Sequence, residues 1–153
     1  MFKLTEKQKQ KVIDLFYEPE EYFSENVLSK DWYACNIDES VDGTSADEYY
    51  PISIVCKDNL GKWEEIECVT KYFFETDMER IARLIERAKY LEATQMKGNE
   101  EVEIGVYEGT VTISKYSPDC ESAFHIEDFC EEDEIDIAEM RKALDNEGIG
   151  YVV

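Results

Sequence analysis

One histidine and five cysteines are the residues of this chain best suited to metal binding or nucleophilic chemistry. Cys120, His125 and Cys130 recur at five-residue steps, and a zinc site built on them needs a fourth ligand from elsewhere, such as Cys35 or Cys68. A cysteine paired with His125 as general base could instead act as a nucleophile. The number of cysteines is odd, no CxxC pair occurs, and nearby acids disfavour a thiolate. We therefore expect reduced cysteines, no metal, no cofactor and no enzymatic activity.

The acidic loop at residues 38–48 has the opening spacing of a calcium-binding loop. With Asp38 at the first position, Gly43 falls at the sixth, as such a loop requires. The twelfth position holds Tyr49, so the glutamate that binds calcium through both oxygens is missing. A small ligand- or calcium-binding domain that uses this loop is the alternative function.

Carboxylates dominate the composition. The 153 residues include 37 acidic and 16 basic ones, for a formal net charge of −21. Residues 18–48 contain ten acids and one base, and residues 119–139 contain ten acids and no base. Such a charge opposes direct binding to DNA, RNA or an anionic membrane, because their phosphates are repelled.

Clustered carboxylates can imitate the phosphates of a nucleic acid. Carboxylates one turn apart on a helix, or two residues apart on a β-strand, lie roughly 6–7 Å from each other. This distance is close to the spacing of phosphates along one strand of a nucleic acid. An acidic surface of this kind can therefore occupy a basic groove built for DNA or RNA. The candidate partner-binding residues are Glu131, Glu132, Asp133, Glu134, Asp136 and Glu139, followed by Asp38, Glu39, Asp42, Asp47 and Glu48. The aromatic residues placed among the acids as candidate anchors are Tyr22, Phe23, Trp32, Tyr49, Tyr50 and Phe129.

These patterns predict a non-enzymatic inhibitor that binds a basic nucleic-acid-handling protein, of the nuclease or CRISPR effector class, and competes with DNA or RNA. Phage anti-defence proteins and immunity proteins against nuclease toxins have this size and acidity, which is an analogy of charge and not of motif. A surface that only keeps the chain soluble and monomeric explains the same acids. A small enzyme that depends on His125 is a third hypothesis, without a substrate.

Helix signals are strongest at two places. Thr5 with Gln8, and Thr76 with Glu79, have the spacing of a capping box. The second box precedes an apolar stripe that predicts a helix ending near Gly98. The stripe consists of Met78, Ile81, Leu84, Ile85, Ala88 and Leu91. Three arginines on the same helix, Arg80, Arg83 and Arg87, are expected to neutralise acids within the fold; the alternative is an anion site.

Strands are predicted at residues 32–37, 52–57, 63–73, 101–107, 111–113, 122–126 and 149–153, and a last helix at residues 131–146. In the 63–73 strand, alternation places Glu65 and Glu67 on one side and Ile66 and Cys68 on the other. Turns at residues 58–61 and 108–109 favour hairpins. The expected fold is α+β, with an antiparallel sheet built from hairpins and helices packed on one face, and its halves are compatible with two degenerate βββα units.

A single domain spanning residues 1–153 is expected, with a helical segment at residues 4–29 packed on it. The first ten residues lack the apolar core of a signal peptide, and no apolar run approaches the length of a spanning helix. We therefore expect a cytoplasmic protein that does not enter a membrane. The pattern leaves the oligomeric state open.

Overall fold

Two four-stranded sheets and four α-helices form the described part of the chain, which in the computed structural model comprises residues 1–39 and 43–152. The predicted α+β class is confirmed, although the strands lie in two sheets where the sequence predicts one. The chain divides into two compact units, Met1–Phe74 (the first unit) and Glu75–Val153 (the second unit), and each has its own buried apolar cluster. Within the described residues, none of the helices combines the length and the apolar character that crossing a bilayer requires.

The sheet of the first unit is antiparallel throughout, in the order β1-β2-β3-β4. Its strands are β1 (Phe2–Lys3), β2 (Tyr33–Asn36), β3 (Ile52–Lys57) and β4 (Trp63–Val69), and its helices are α1 (Glu6–Ile13) and α2 (Glu25–Ser29). Short 3-10 helices occupy Pro19–Glu21 and Ile37–Glu39. The predicted capping box begins α1, because the Thr5 hydroxyl accepts from the Gln8 amide at 3.1 Å and the Gln8 side chain accepts from the Thr5 amide at 2.9 Å.

Trp32 has no exposed surface and lies in the core of the first unit. Its indole N–H donates to the Val27 carbonyl at 3.0 Å, and the Phe23 ring packs edge-on at 5.8 Å between centroids. Lys9 is also buried; its ammonium lies 5.2 Å from the indole centroid and donates to two backbone carbonyls at the C-terminal end of α2. Trp32 is therefore a core residue and not an anchor available to a partner.

The sheet of the second unit has the order β7-β6-β5-β8, antiparallel except for the parallel pair β5–β8. Its elements are α3 (Asp77–Gln95), β5 (Glu101–Tyr107), β6 (Thr110–Ser117), β7 (Ser122–Glu131), α4 (Ile137–Asn146) and β8 (Gly150–Val152), with a 3-10 helix at Glu132–Glu134. Glu108 and Gly109 connect β5 to β6, both with positive φ (51° and 81°), which is the backbone that a tight two-residue turn requires.

Helix α3 begins at its predicted capping box and departs from the sequence prediction at Met78 and at its C-terminal end. Thr76 and Glu79 form the predicted capping box. Met78 is 82% exposed, because it lies in the first turn, ahead of the residues that face the sheet. The helix ends at Gln95, whereas the predicted cap, Gly98, lies in the following turn with φ +61°. The buried cluster of this unit comprises Ile81, Leu84, Ala88, Leu91, Val102, Ile104, Val111, Ile113, Ile135, Met140, Leu144 and Ile149.

The prediction of a helix from residue 131 to 146 is wrong at its beginning. Strand β7 continues to Glu131, and α4 begins only at Ile137, with the Asp136 carboxylate as its N-cap. Two bulges in the β6–β7 pairing interrupt the in–out alternation of β7, so its later residues do not have the sequence pattern of a strand. Both bulges lie on β7, which is an edge strand of the sheet. A bulge twists an edge strand, and the twist discourages pairing with the strands of other chains.

Tyr151 is expected to be a stabilising site for substitution. Its hydroxyl is buried without a hydrogen-bond partner, which holds for no other side-chain N or O atom among the described residues. Replacing Tyr151 with phenylalanine removes the cost of desolvating that hydroxyl and should raise the free energy of unfolding by about 1 kcal/mol. Urea denaturation followed by circular dichroism measures this, with Tyr107→Phe as control, since Tyr107 is exposed on β5. A Tyr151→Phe protein no more stable than the parent would contradict the prediction.

Candidate functional site

The negative charge is unevenly divided between the units. The first unit has 8 basic and 16 acidic residues, and the second has 8 basic and 21 acidic residues. The formal net charges are therefore −8 and −13. Which acids form the negative surface depends on where the few basic side chains lie.

Arginines of α3 contact carboxylates of their own unit, as predicted. Glu75, 11% exposed in its side chain, accepts from Arg83 through both oxygens, at 2.9 and 3.1 Å. The same carboxylate lies 3.3 Å from Nε of Arg80, which is 5% exposed. The Arg83 guanidinium stacks 4.2 Å from the Phe129 centroid, so Phe129 packs inside the unit and is only partly exposed.

Other basic side chains of the second unit are also paired internally. The ion pairs are Arg87–Glu127 at 2.6 Å, Lys89–Glu147 at 2.5 Å and Lys115–Glu100 at 3.0 Å. These contacts neutralise Glu127 on β7, Glu147 just after α4 and Glu100 just before β5. They leave the acids between β7 and α4 as the concentrated negative surface of the unit.

The 131–139 cluster comprises Glu131, Glu132, Asp133, Glu134, Asp136 and Glu139, and all six are exposed. It spans the end of β7, the 3-10 helix and the first turn of α4. The buried Ile135 fixes the segment to the core from the middle of the cluster. An amino group of the buried Arg80 guanidinium donates to the Glu134 carbonyl, so this arginine holds the backbone of the turn.

Within the 131–139 cluster, side chains also stabilise the backbone. Asp136 Oδ1 accepts from the Glu139 amide at 3.2 Å, and Glu134 Oε1 accepts from the Glu131 amide at 3.4 Å. The predicted ladder of helical carboxylates is thus replaced by a turn, because only Glu139 lies inside α4 and Asp136 caps it. The acids of the cluster are therefore distributed over a strand end, a turn and a helix start.

The 38–48 cluster comprises Asp38, Glu39, Asp42, Asp47 and Glu48, of which Asp42 lies outside the described residues. Its other four members are exposed. Glu39 accepts from the amino terminus of Met1 at 2.6 Å, and this hydrogen bond lowers the pKa of the Glu39 carboxyl.

Asp47 shapes the turn that follows it. Its Oδ1 accepts from the amides of Tyr49 and Tyr50, at 2.9 and 2.8 Å. The two tyrosines are 74% and 51% exposed, so they remain candidate anchors beside the acids. Tyr22 is exposed as well, at 66%, whereas Phe23 packs against Trp32.

The single histidine and the cysteines are the residues considered for metal or nucleophilic chemistry. Within residues 1–39 and 43–152, no three His, Cys, Asp or Glu side chains are placed to hold a metal ion. His125 Nε2 lies 2.8 Å from Asp128 Oδ1, and both side chains are exposed. Burial, with the Glu134 carboxylate nearby, raises the pKa of Cys130 to about 11, and burial raises that of Cys68. Both thiols are therefore neutral at pH 7.

Sequence alternation missed a polar cluster on the first unit's sheet. A bulge at Ile66 shifts the β3–β4 register, so Val55 pairs with Glu65 while Ser53 pairs with Cys68. Glu65 and Cys68, predicted on opposite faces, therefore share one face, with Cys68 Sγ 3.4 Å from Glu65 Oε2. Because the bulge depends on strand pairing, no local pattern could have indicated it.

No protein family, no curated protein and no solved structure matches this chain. Function is therefore inferred from the charge, exposure and contacts of its own residues.

Proposed function

We propose that this protein is a non-enzymatic inhibitor that binds a basic nucleic-acid-handling protein and competes with DNA or RNA for it. One observation carries the proposal: the arginines of α3 pair with other acids of the second unit, while all six carboxylates of the 131–139 cluster lie at the surface. Clustered like charges destabilise a fold through self-repulsion. A basic partner turns the same charges into favourable contacts.

The physical mechanism is electrostatic competition. A negative surface accelerates encounter with a positive groove and loses affinity as salt screens the charges. The groove that accepts the carboxylates is the one that neutralises phosphates, so nucleic acid and inhibitor exclude each other. The partner belongs to the nuclease or CRISPR effector class. These are the targets of phage anti-defence proteins and of immunity proteins against nuclease toxins, which have a similar size and acidity.

Exposed tyrosines add contacts that salt does not screen. Tyr49 and Tyr50 project beside Asp47 and Glu48 on the first unit. Tyrosine is enriched among the residues that dominate binding energy at interfaces, where its ring buries apolar area and stacks on arginine. Acids and tyrosines together suit a groove lined with arginine and lysine.

The test is capture of the partner from cell lysate with matched charge variants. The first variant carries Glu132→Gln, Asp133→Asn, Glu134→Gln and Glu139→Gln, which keep the capping oxygens. Its control carries Glu86→Gln, Glu92→Gln, Glu101→Gln and Asp119→Asn, four exposed acids of the same unit outside the cluster. Both variants change the net charge equally.

We expect the parent to retain a basic nucleic-acid-binding protein at low salt and to release it on adding DNA or RNA. The cluster variant should bind that protein at least tenfold more weakly, with a shallower salt dependence, while the control variant stays within about threefold of the parent. Equal binding by both variants, persisting when the 38–48 cluster is also neutralised, would remove the proposed function.

A further inference from the structure

Residues 43–51 form a strap that carries Tyr49 and Tyr50 together with Asp47 and Glu48, two acids of the 38–48 cluster. Every residue of the strap is at least partly exposed, and none belongs to the core cluster of the first unit. At one end, the Ile37 amide donates to the Pro51 carbonyl at 2.8 Å. The strap is therefore not attached to the sheet by a buried apolar side chain.

Glu65 on β4 joins the strap to the sheet. Its Oε2 accepts from the Ser45 amide at 2.7 Å, and its Oε1 accepts from the Ser45 hydroxyl at 2.5 Å. Oε2 also accepts from the hydroxyl of the buried Ser53 at 2.7 Å. Hydrogen bonds to an ionised acceptor are stronger than those between neutral groups, so this carboxylate is a strong attachment point.

The contacts favour the charged form of Glu65. Burial raises the pKa of the Glu65 carboxyl, and the hydrogen bonds from Ser45, Ser53 and Cys68 lower it. The hydrogen bonds together outweigh burial, so the pKa lies below the ordinary value of 4.5. At neutral pH the carboxylate is ionised and accepts all of these donors. The bulge at Ile66 makes this possible, because it turns Glu65 to the face on which Ser53 and Cys68 lie.

We propose that Glu65 is a positioning residue: it fixes the strap, and with it Asp47, Tyr49 and Tyr50, in the conformation presented to a partner. A fixed strap binds with a smaller loss of conformational entropy than a free loop. The consequence for binding rests on the proposed function, whereas the attachment of the strap does not. Without the attachment, the strap separates from β4 and uncovers Cys68, whose Sγ lies 3.8 Å from the Ser45 hydroxyl.

Two variants test the attachment. Glu65→Gln replaces one acceptor oxygen with a donor, and Ser45→Ala removes the hydroxyl while keeping the Glu65 charge. Glu64→Gln is the control, since Glu64 is the exposed neighbour on β4 with the same charge change. The first readout is amide hydrogen exchange of residues 44–50, measured by mass spectrometry. We expect it to accelerate about tenfold in Glu65→Gln, the change produced by losing one hydrogen bond to a charged group, and to stay at the parent rate in Glu64→Gln.

The second readout is the rate at which N-ethylmaleimide labels each cysteine. Cys120 is exposed and serves as the internal reference, while the buried Cys56 reports opening of the whole unit. The Ser45 hydroxyl lowers the pKa of the Cys68 thiol, so its removal alone makes Cys68 less reactive. Faster labelling of Cys68 in Ser45→Ala, without a change at Cys56, therefore reports release of the strap.

Two results would overturn the attachment: unchanged exchange of residues 44–50 in Glu65→Gln, or equal acceleration at Cys68 and Cys56. The partner captured from lysate gives the last arm. We expect Glu65→Gln to bind it several-fold more weakly than Glu64→Gln. If Glu65→Gln and Glu64→Gln bind the partner equally while the 131–139 cluster variant binds weakly, Glu65 does not present the strap to the partner. The proposed function then remains in place. If the parent captures no basic partner while the strap opens as expected, the proposed function fails and the attachment stands.

Discussion

Replacing Glu75 with glutamine is expected to destabilise the second unit by about 3 kcal/mol. Removing one partner of a buried ion pair costs about 3–5 kcal/mol, because the remaining charge stays buried without compensation. Glu75 lies 3.3 Å from Arg80, nearer than any other carboxylate of the described residues paired with it, and is the bidentate partner of Arg83. The lower end of the range applies because Asp77 still lies 3.8 Å from Arg80.

Urea denaturation followed by circular dichroism measures the Glu75→Gln effect. Hydrogen exchange of α3 assigns it to the second unit, since both tryptophans, Trp32 and Trp63, lie in the first. Glu92→Gln on the same helix is the control: Glu92 is exposed, and such surface substitutions change stability by about 0.5 kcal/mol or less. If the two variants are equally stable, Glu75 is not the counter-charge on which Arg80 depends.

The Glu75 prediction also concerns the candidate binding surface. Arg80 holds the Glu134 carbonyl, so a displaced Arg80 loosens the turn that presents the 131–139 cluster. The amides of the Glu132–Glu134 turn should therefore exchange faster in Glu75→Gln. Electrostatics inside the unit and presentation of acids at its surface are linked through this one guanidinium.

The starts of α1 and α3 were predictable because their signals are local. Thr5 with Gln8 and Thr76 with Glu79 satisfy backbone amides within four residues of chain, so the pattern and its cause lie in the same window. The apolar stripe of α3 was predictable for the same reason, except at Met78. Its spacing fits the stripe, but the first turn of the helix lies ahead of the sheet-facing residues.

Bulges explain two of the differences between the sequence predictions and the structure. The bulge at Ile66 brings Glu65 and Cys68 to one face, and two bulges in the β6–β7 pairing hide the second half of β7. A strand without bulges shows period two, whereas one extra residue reverses the alternation that follows. The extra residue is set by pairing with another strand, which a single segment does not encode.

Composition predicted an acidic surface but not which acids would form it. The decisive contacts join residues far apart in the chain, such as Arg87 with Glu127 and Lys89 with Glu147. Basic side chains that pair within the unit neutralise the acids they contact, and Arg80 and Arg83 share one of them, Glu75. The 131–139 cluster is the concentrated surface because α3 directs Arg83 and Arg87 elsewhere.

Trp32→Ala is expected to cost the first unit about 3–5 kcal/mol, the range for removing a large buried aromatic side chain. The cavity left by the indole would face the Phe23 ring and the Lys9 ammonium. The loss should lie near the upper end of the range, because the Lys9 ammonium also loses the ring that lies 5.2 Å away while remaining buried. A loss of this size is a large part of the stability of a small unit.

Trp63 makes the Trp32 prediction measurable, since it is the one tryptophan left in Trp32→Ala and lies on β4 of the same unit. Its fluorescence in urea reports unfolding directly, and Trp63→Phe serves as the matched control. Trp63 is only partly buried, stacked edge-on with Tyr33 at 5.4 Å, so Trp63→Phe should cost about 1 kcal/mol or less. Similar losses in the two variants would mean that Trp32 is not the centre of this core. A much larger loss in Trp32→Ala would assign that role to Trp32.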